Sequence, residues 1–124
     1  MGATAEHSVV VSGLWSKLFK SGVGFFSQCR LTSLTHSEQR HFRLSGKWCM
    51  LTDVYVHPVM RDRGLAKARV AEAIAWASAN HLACVLEIRK HGKGGLSNKV
   101  LVKFYEAFGF EPHPTIEGCM IRRL

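Results

Sequence analysis

Paired cysteines at metal or redox spacing are missing from this chain. Its cysteines, Cys29, Cys49, Cys84 and Cys119, never form C-x-x-C, and no histidine pair has the spacing of a zinc motif, so no metal site is expected. Isolated cysteines behave as small buried hydrophobes, and four reduced thiols suit a cytoplasmic protein. No apolar run approaches the ~20 residues a membrane span needs. Val9–Val11 is far too short for the core of a signal peptide. Internal repeats and low-complexity tracts are missing too, which excludes repeat arrays. Acidic side chains are scarce: 9 Asp and Glu against 17 Lys and Arg leave a net charge of +8. That excess favours a polyanionic ligand or partner, whether a phosphate-rich cofactor, an acidic protein surface or nucleic acid.

What is present suits one domain. The 124 residues are 47% hydrophobic and 21% charged, enough for a modest core and too apolar for a disordered chain. Val9 to Lys20 reads two ways, as a strand from Val9–Val11 or as a helix from the spacing of Leu14, Trp15, Leu18 and Phe19. Val23 to Leu34 reads as a strand, Thr35 to Gln39 as a polar turn, and His41 to Leu44 as a short strand before the turn Ser45-Gly46-Lys47. Trp48 to Val56 is the next strand, and short turns between strands predict antiparallel pairing up to here. Leu65 to Asn80 reads as a helix with Ala66, Val70, Ala73, Ile74 and Ala77 on its inner stripe. Ala83 to Ile88 is an apolar strand, so Trp48–Ile88 predicts a right-handed βαβ crossover with parallel strands. A basic loop with Lys90, His91 and Lys93 precedes a helix capped by Ser97 or Asn98 and stopped at Gly109. Glu111 to Pro114 reads as a loop and Cys119 to Leu124 as the last strand.

The stretch Leu51 to Ala66 joins a strand to a helix through a basic loop containing Gly64. The N–H groups and dipole at such a helix start form an anion cradle, and Arg61, Arg63 and Lys67 add full charges. An ordinary βα connection with a solvated basic turn would read the same way.

V-H-P-V-M-R-D-R-G-L-A, from Val56 to Ala66, resembles the acetyl-CoA pyrophosphate loop of the GNAT N-acetyltransferase superfamily, Q/R-x-x-G-x-G/A after a central strand. Arg61, Gly64 and Ala66 carry the match. N-K-V-L-V-K-F-Y-E-A-F-G-F, from Asn98 to Phe110, is similar to that family's N-x-x-A-x-x-L-Y-E-x-x-G-F. Asn98, Tyr105, Glu106, Gly109 and Phe110 match, whereas Phe104 replaces an aliphatic residue and Leu101 a small one. The resemblance covers Met50 to Leu124. It implies an α/β (α+β) single domain over 1–124, with a shortened, divergent part over 1–49 and an acetyl-CoA-binding core over 50–124. A mixed central sheet with antiparallel N-terminal strands, the crossover at the cofactor loop and flanking helices go with it. The N-terminal part has room for at most one of the family's two early helices. The tail also resembles short phage-borne members through F-Y-x-x-x-x-F-E and a closing M-x-R.

By the resemblance, acetyl moves from acetyl-CoA to an amine that attacks directly. The attacking amine must be neutral, the oxyanion needs a fixed N–H, and the leaving thiolate gains from a proton donor. Tyr105 is the expected donor; read as pattern alone it is a core aromatic. Asp53 is the leading base or amine-holding carboxylate, in a mid-strand place where Asp is disfavoured, with a salt-bridged surface residue as the alternative. Glu87 is its rival. His57 is a weaker proton relay. Val54 and Val56 would offer backbone groups to the acetyl carbonyl and pantetheine arm. Arg61, Arg63, Gly64, Leu65 and Ala66 would wrap the pyrophosphate, and Asn98 would contact the cofactor or simply cap its helix. The acceptor stays open among protein lysine, a small amine and aminoacyl-tRNA. The charge disfavours free polyamines and favours an acidic protein or RNA. An exposed edge strand would favour a homodimer. Two other readings compete: a basic nucleic-acid-binding module, and a CoA-binding protein without turnover.

Overall fold

A computed structural model describes residues 9–11, 14–21, 27–56, 64–88 and 98–124. They form seven strands and three helices: β1 (Val9–Val11), β2 (Leu14–Lys20), β3 (Ser27–Ser33), α1 (His36–His41), β4 (Trp48–Val56), α2 (Leu65–Ala79), β5 (Ala83–Glu87), α3 (Asn98–Glu106), β6 (Glu111–Pro112) and β7 (Cys119–Arg122). One mixed sheet takes the order β1-β2-β3-β4-β5-β7-β6. The first four strands run as an antiparallel meander, β4 and β5 are parallel across the α2 crossover, and β7 pairs antiparallel with both β5 and β6. No helix among the described residues is long and apolar enough to cross a membrane.

The apolar run Ala83–Leu86 is buried along its whole length because the sheet is covered on both faces. Cys84 and Leu86 join the larger core with Cys29, Leu31, Cys49, Leu51 and the α2 stripe Val70, Ala73, Ile74 and Ala77. Ala83 and Val85 point the other way, into a second cluster with Phe42, Trp48, Cys119 and Ile121. Ala66, expected on the stripe, is half-buried. All four cysteines are buried. Cys49 and Cys84 are register partners with Sγ atoms 3.5 Å apart.

One open reading is resolved and the expectations for Thr35–Leu44 and Glu111–Pro112 change. Leu14–Phe19 is strand, because alternation with β3 puts Lys17 and Phe19 inside while their neighbours stay half-exposed. Lys17 is 3% exposed, with its ammonium 5.0 Å above the Trp76 ring, and burial lowers its pKa. Thr35–Gln39 is not a turn but the N-cap and first residues of α1, and His41–Leu44 is not a strand, since His41 ends α1 and Phe42–Arg43 turn the chain. Thr35 and Glu38 close a capping box: Glu38 N–H donates to Thr35 Oγ1 (3.0 Å) and Thr35 N–H to Glu38 Oε1 (2.9 Å). Glu111–Pro112, taken as loop, adds a two-residue strand to β7.

Both later helices stop as their sequences suggest. Asn80 caps α2, its side-chain N–H donating to Trp76 O (2.8 Å). Gly109, at φ 91°, turns the chain after α3 so that Phe110 packs on Tyr105, ring centroids 5.9 Å apart. Arg122 ties this end to α2, donating to Phe108 O (2.8 Å) and to Ser78 Oγ (3.2 Å).

Candidate active site

The site begins where β4 and β5 part. Their pairing runs through Trp48↔Ala83, Cys49↔Cys84 and Met50↔Val85 and stops there, although β4 continues to Val56 and β5 to Glu87. A bulge bends β4 just beyond. Gln28 pairs with Tyr55 and Arg30 with Thr52, so one β3 residue, Cys29, faces two on β4, Asp53 and Val54. Asp53 takes the left-handed conformation this requires, φ 54°, which Asp tolerates better than most residues. Its carboxylate lies 3.4 Å from Arg30 Nε, and Arg30 Nη1 donates to Ser16 Oγ at 2.6 Å. The disfavoured mid-strand Asp thus has two structural explanations.

Past Val56 the chain re-enters at Gly64, the N-cap of α2, with φ 72° and ψ 15°. Ala68 N–H makes the helix's first backbone bond, to Gly64 O (3.0 Å), so the N–H groups of Leu65, Ala66 and Lys67 have no intrahelical acceptor. Among the described residues no side chain caps this end, and its first turn holds no acidic residue. A Cβ built on Gly64 would meet no described atom within 4 Å. Arg61, Arg63 and His57 lie outside the described residues, as do Lys90, His91 and Lys93. Asn98 opens α3 and is exposed.

Tyr105 projects from α3 into the larger core, 8% exposed, between Phe104 and Phe110. Burial pushes its hydroxyl up to about 12, with the Cys29 thiol adding. The same Cys29 faces the bulge and donates to Arg69 O at 3.3 Å. Tyr105 and the bulged part of β4 are therefore brought to one region. Asp53 is bound to Arg30 on an exposed surface, its side chain 56% accessible. Glu87 is exposed on the opposite arm of the divergence, walling a cavity of about 380 Å³ with Ser37, Glu38, His41, Phe42 and Met50. His41 and Glu38 were not singled out from the sequence. The capping pattern Thr35-x-x-Glu38 would have found the helix that presents them.

The buried acids carry a stability consequence. Tyr105 sits at about 12, Cys29 is pushed up to about 12 and Cys119 up to about 11, each chiefly by burial. Each holds its proton more tightly folded than unfolded. Their contribution is whole below about pH 9 and is lost as pH climbs from about 9 to 12. For Tyr105 alone it is at most ~3 kcal/mol. Urea unfolding at pH 8 and pH 11 should show a clearly lower midpoint at pH 11; equal midpoints would mean these protons are not linked to folding.

The profile of the acetyltransferase (GNAT) family matches residues 23–110. No curated protein matches. Among solved structures, the anti-CRISPR protein AcrVA5 superposes with a TM-score of 0.62 at 14% identity, covering 86% of this chain and 95% of that one. ElaA of Escherichia coli gives 0.61 at 14%, covering 92% and 71%. The PaiA N-acetyltransferase of Thermoplasma acidophilum, in complex with coenzyme A, gives 0.57 at 16%, covering 90% and 60%. At these identities the structures establish a shared fold.

Proposed function

The chain belongs to the acetyltransferase (GNAT) family, and from that membership we propose that it transfers acetyl from acetyl-CoA to an amine. The observation that carries the reading is the pairing of two openings: the divergence of β4 from β5, and the start of α2 at the left-handed Gly64, which among the described residues has no side-chain cap and no acid in its first turn. A diphosphate fits the second, since N–H groups without an intrahelical acceptor and the helix dipole favour an anion there. Leu65 and Ala66 N–H groups would hold it, with Arg61 and Arg63 supplying charge from the loop. Val54 and Val56 lie on the bulged arm, and their backbone would bind the acetyl oxygen and the pantetheine arm. Asn98 would hold the cofactor from the α3 side.

Acetyl-CoA supplies an activated thioester. Glu87 takes the proton of the amine and Tyr105 gives one to the departing sulfur, so the proton removed is matched by one supplied as the C–N bond replaces the C–S bond. Tyr105 suits this role because its buried hydroxyl keeps its proton through neutral pH. Asp53 holds the bulge through Arg30 and acts by position. The acceptor amine belongs to a protein lysine, a small amine or an aminoacyl-tRNA, and the protein works in the cytoplasm.

Calorimetry with acetyl-CoA, followed by thiol release with a panel of amines, tests this. Glu87→Gln should lower kcat/KM by about a hundredfold, and Asp53→Asn, which keeps the left-handed turn, by less than about fivefold. The reverse order would move the base to Asp53. Absence of acetyl-CoA binding, with steeply salt-dependent RNA binding in its place, would overturn the reading in favour of a nucleic-acid module.

A further inference from the structure

A second cavity shares the sheet face of the one walled by Glu87: the first is lined by residues of α1 and Phe42, the second by Arg43 and the residues after it. The first, about 380 Å³, has Glu38, His41 and Glu87 in its wall. The second, about 270 Å³, is lined among others by Arg43, Ser45, Trp48, His113, Ile121 and Arg123. Among the described lining residues their carboxylates and guanidiniums are segregated. The first presents two carboxylates; the second presents two guanidiniums and, among the described residues, no carboxylate.

The strand register fixes how far apart they are. Trp48 floors one cavity and Met50 the other, two residues along β4 on one face. Ile121 pairs with Val85 on β5, two residues before Glu87, so the same step separates them there. Two residues of strand rise about 7 Å.

The second cavity has a fixed frame. His113 Nε2–H donates to Phe42 O (2.7 Å), while its Nδ1 accepts from Thr115 N–H (3.0 Å) and Ile116 N–H (3.1 Å). These bonds lock the end of α1 to the β6–β7 connection. Trp48 Nε1–H donates to Ser45 O (2.9 Å), which holds the indole as a floor. Arg123 lies 3.8 Å from Glu111, with both side chains more than half exposed, and that contact is too loose and solvated to neutralise it.

We infer that the acceptor is dipolar: beside the amine to be acetylated it carries an anionic group about 7–10 Å away. The ammonium enters among Glu38 and Glu87, and the anion settles between Arg43 and Arg123. The inference rests on the acetyltransferase reading and narrows its substrate. A bare polyamine is excluded, because its second cation would meet the guanidiniums. Two sources present the required chemistry: a lysine with an acidic residue two positions away in an extended peptide, whose alternate side chains share a face, and a small ω-amino carboxylate.

The test uses the full chain with saturating acetyl-CoA and follows thiol release. The peptides are acetyl-Glu-Gly-Lys-amide and acetyl-Gln-Gly-Lys-amide. The small acceptors are 6-aminohexanoate, hexylamine and 1,6-diaminohexane. The Glu peptide or 6-aminohexanoate should show a KM about tenfold below its uncharged counterpart, with the diamine poorest. Whichever dipolar acceptor leads names the source. Arg43→Gln with Arg123→Gln, both at exposed positions, should erase the preference through KM rather than kcat. Arg123→Glu should shift preference toward the diamine, which a merely structural role would not do. Equal use of neutral and dipolar acceptors, or a double variant that keeps the preference, would overturn the inference. Acetyl-CoA binding without release to any dipolar acceptor would overturn it alone. Failure to bind acetyl-CoA would overturn the parent reading with it.

Discussion

Tyr105→Phe is expected to leave the fold standing and lower kcat by about 10²–10³, the usual worth of a positioned proton donor. Phenylalanine keeps the ring that packs edge-on against Phe104 and Phe110 at centroid distances of 5.1 and 5.9 Å. Only the hydroxyl is lost. In the variant the departing thiolate must leave unprotonated, so the deficit should shrink as pH rises toward the thiol's ordinary pKa of ~8.5. Acetyl-CoA affinity should stay within a few-fold. A kcat within about threefold of wild type would return Tyr105 to the role of a core aromatic.

Gly64→Val should weaken acetyl-CoA binding by about a hundredfold. Holding a residue with a Cβ left-handed costs ~1–2 kcal/mol, and more for a branched side chain. A similar amount is expected from methyl groups in the diphosphate's space. Gly64→Asn separates the two causes, since Asn tolerates φ 72° but still projects a side chain from the cradle. No described protein atom lies within 4 Å of a Cβ there, so a loss of affinity in an Asn variant that melts like wild type points to the ligand. About tenfold is expected for it, by calorimetry, with an unchanged melting temperature. Full affinity in both variants would place the diphosphate elsewhere.

Much of this was legible in the sequence where apolar pattern and punctuation agreed. Trp48–Val56 emerges with the expected bounds, and Leu65–Asn80 and Ala83–Ile88 lie within a residue of theirs, because strand formers, a helical stripe and Gly64 or Asn80 mark the changes. Asp53 was readable as an anomaly but not as a bulge, since the extra residue exists only in the register against β3. Helix α1 was missed because six polar residues with no buried side chain give no periodicity; its evidence lies in two hydrogen bonds between Thr35 and Glu38. Both cavities border that helix, so their pairing could not be seen before it was placed. The net charge of +8 pointed toward acidic partners but could not reveal that the cavity beside α1 has Glu38 and Glu87 in its wall.

The early end of the β4–β5 ladder has a consequence for self-association. Strand rims with open N–H and C=O groups are where proteins recruit foreign strands and begin to aggregate. Among the described residues β5 offers no partner to Leu51–Tyr55 of β4, so such a rim lies in the middle of the sheet with β5 as the facing bank. A neighbouring molecule cannot bring a whole strand with its side chains into a gap between two strands of one sheet. A slender, amide-bearing chain can. Among the described residues the seam therefore offers hydrogen-bonding groups where sterics screen out the protein's own kind, and a ligand thinner than a polypeptide, such as the proposed pantetheine arm, suits it.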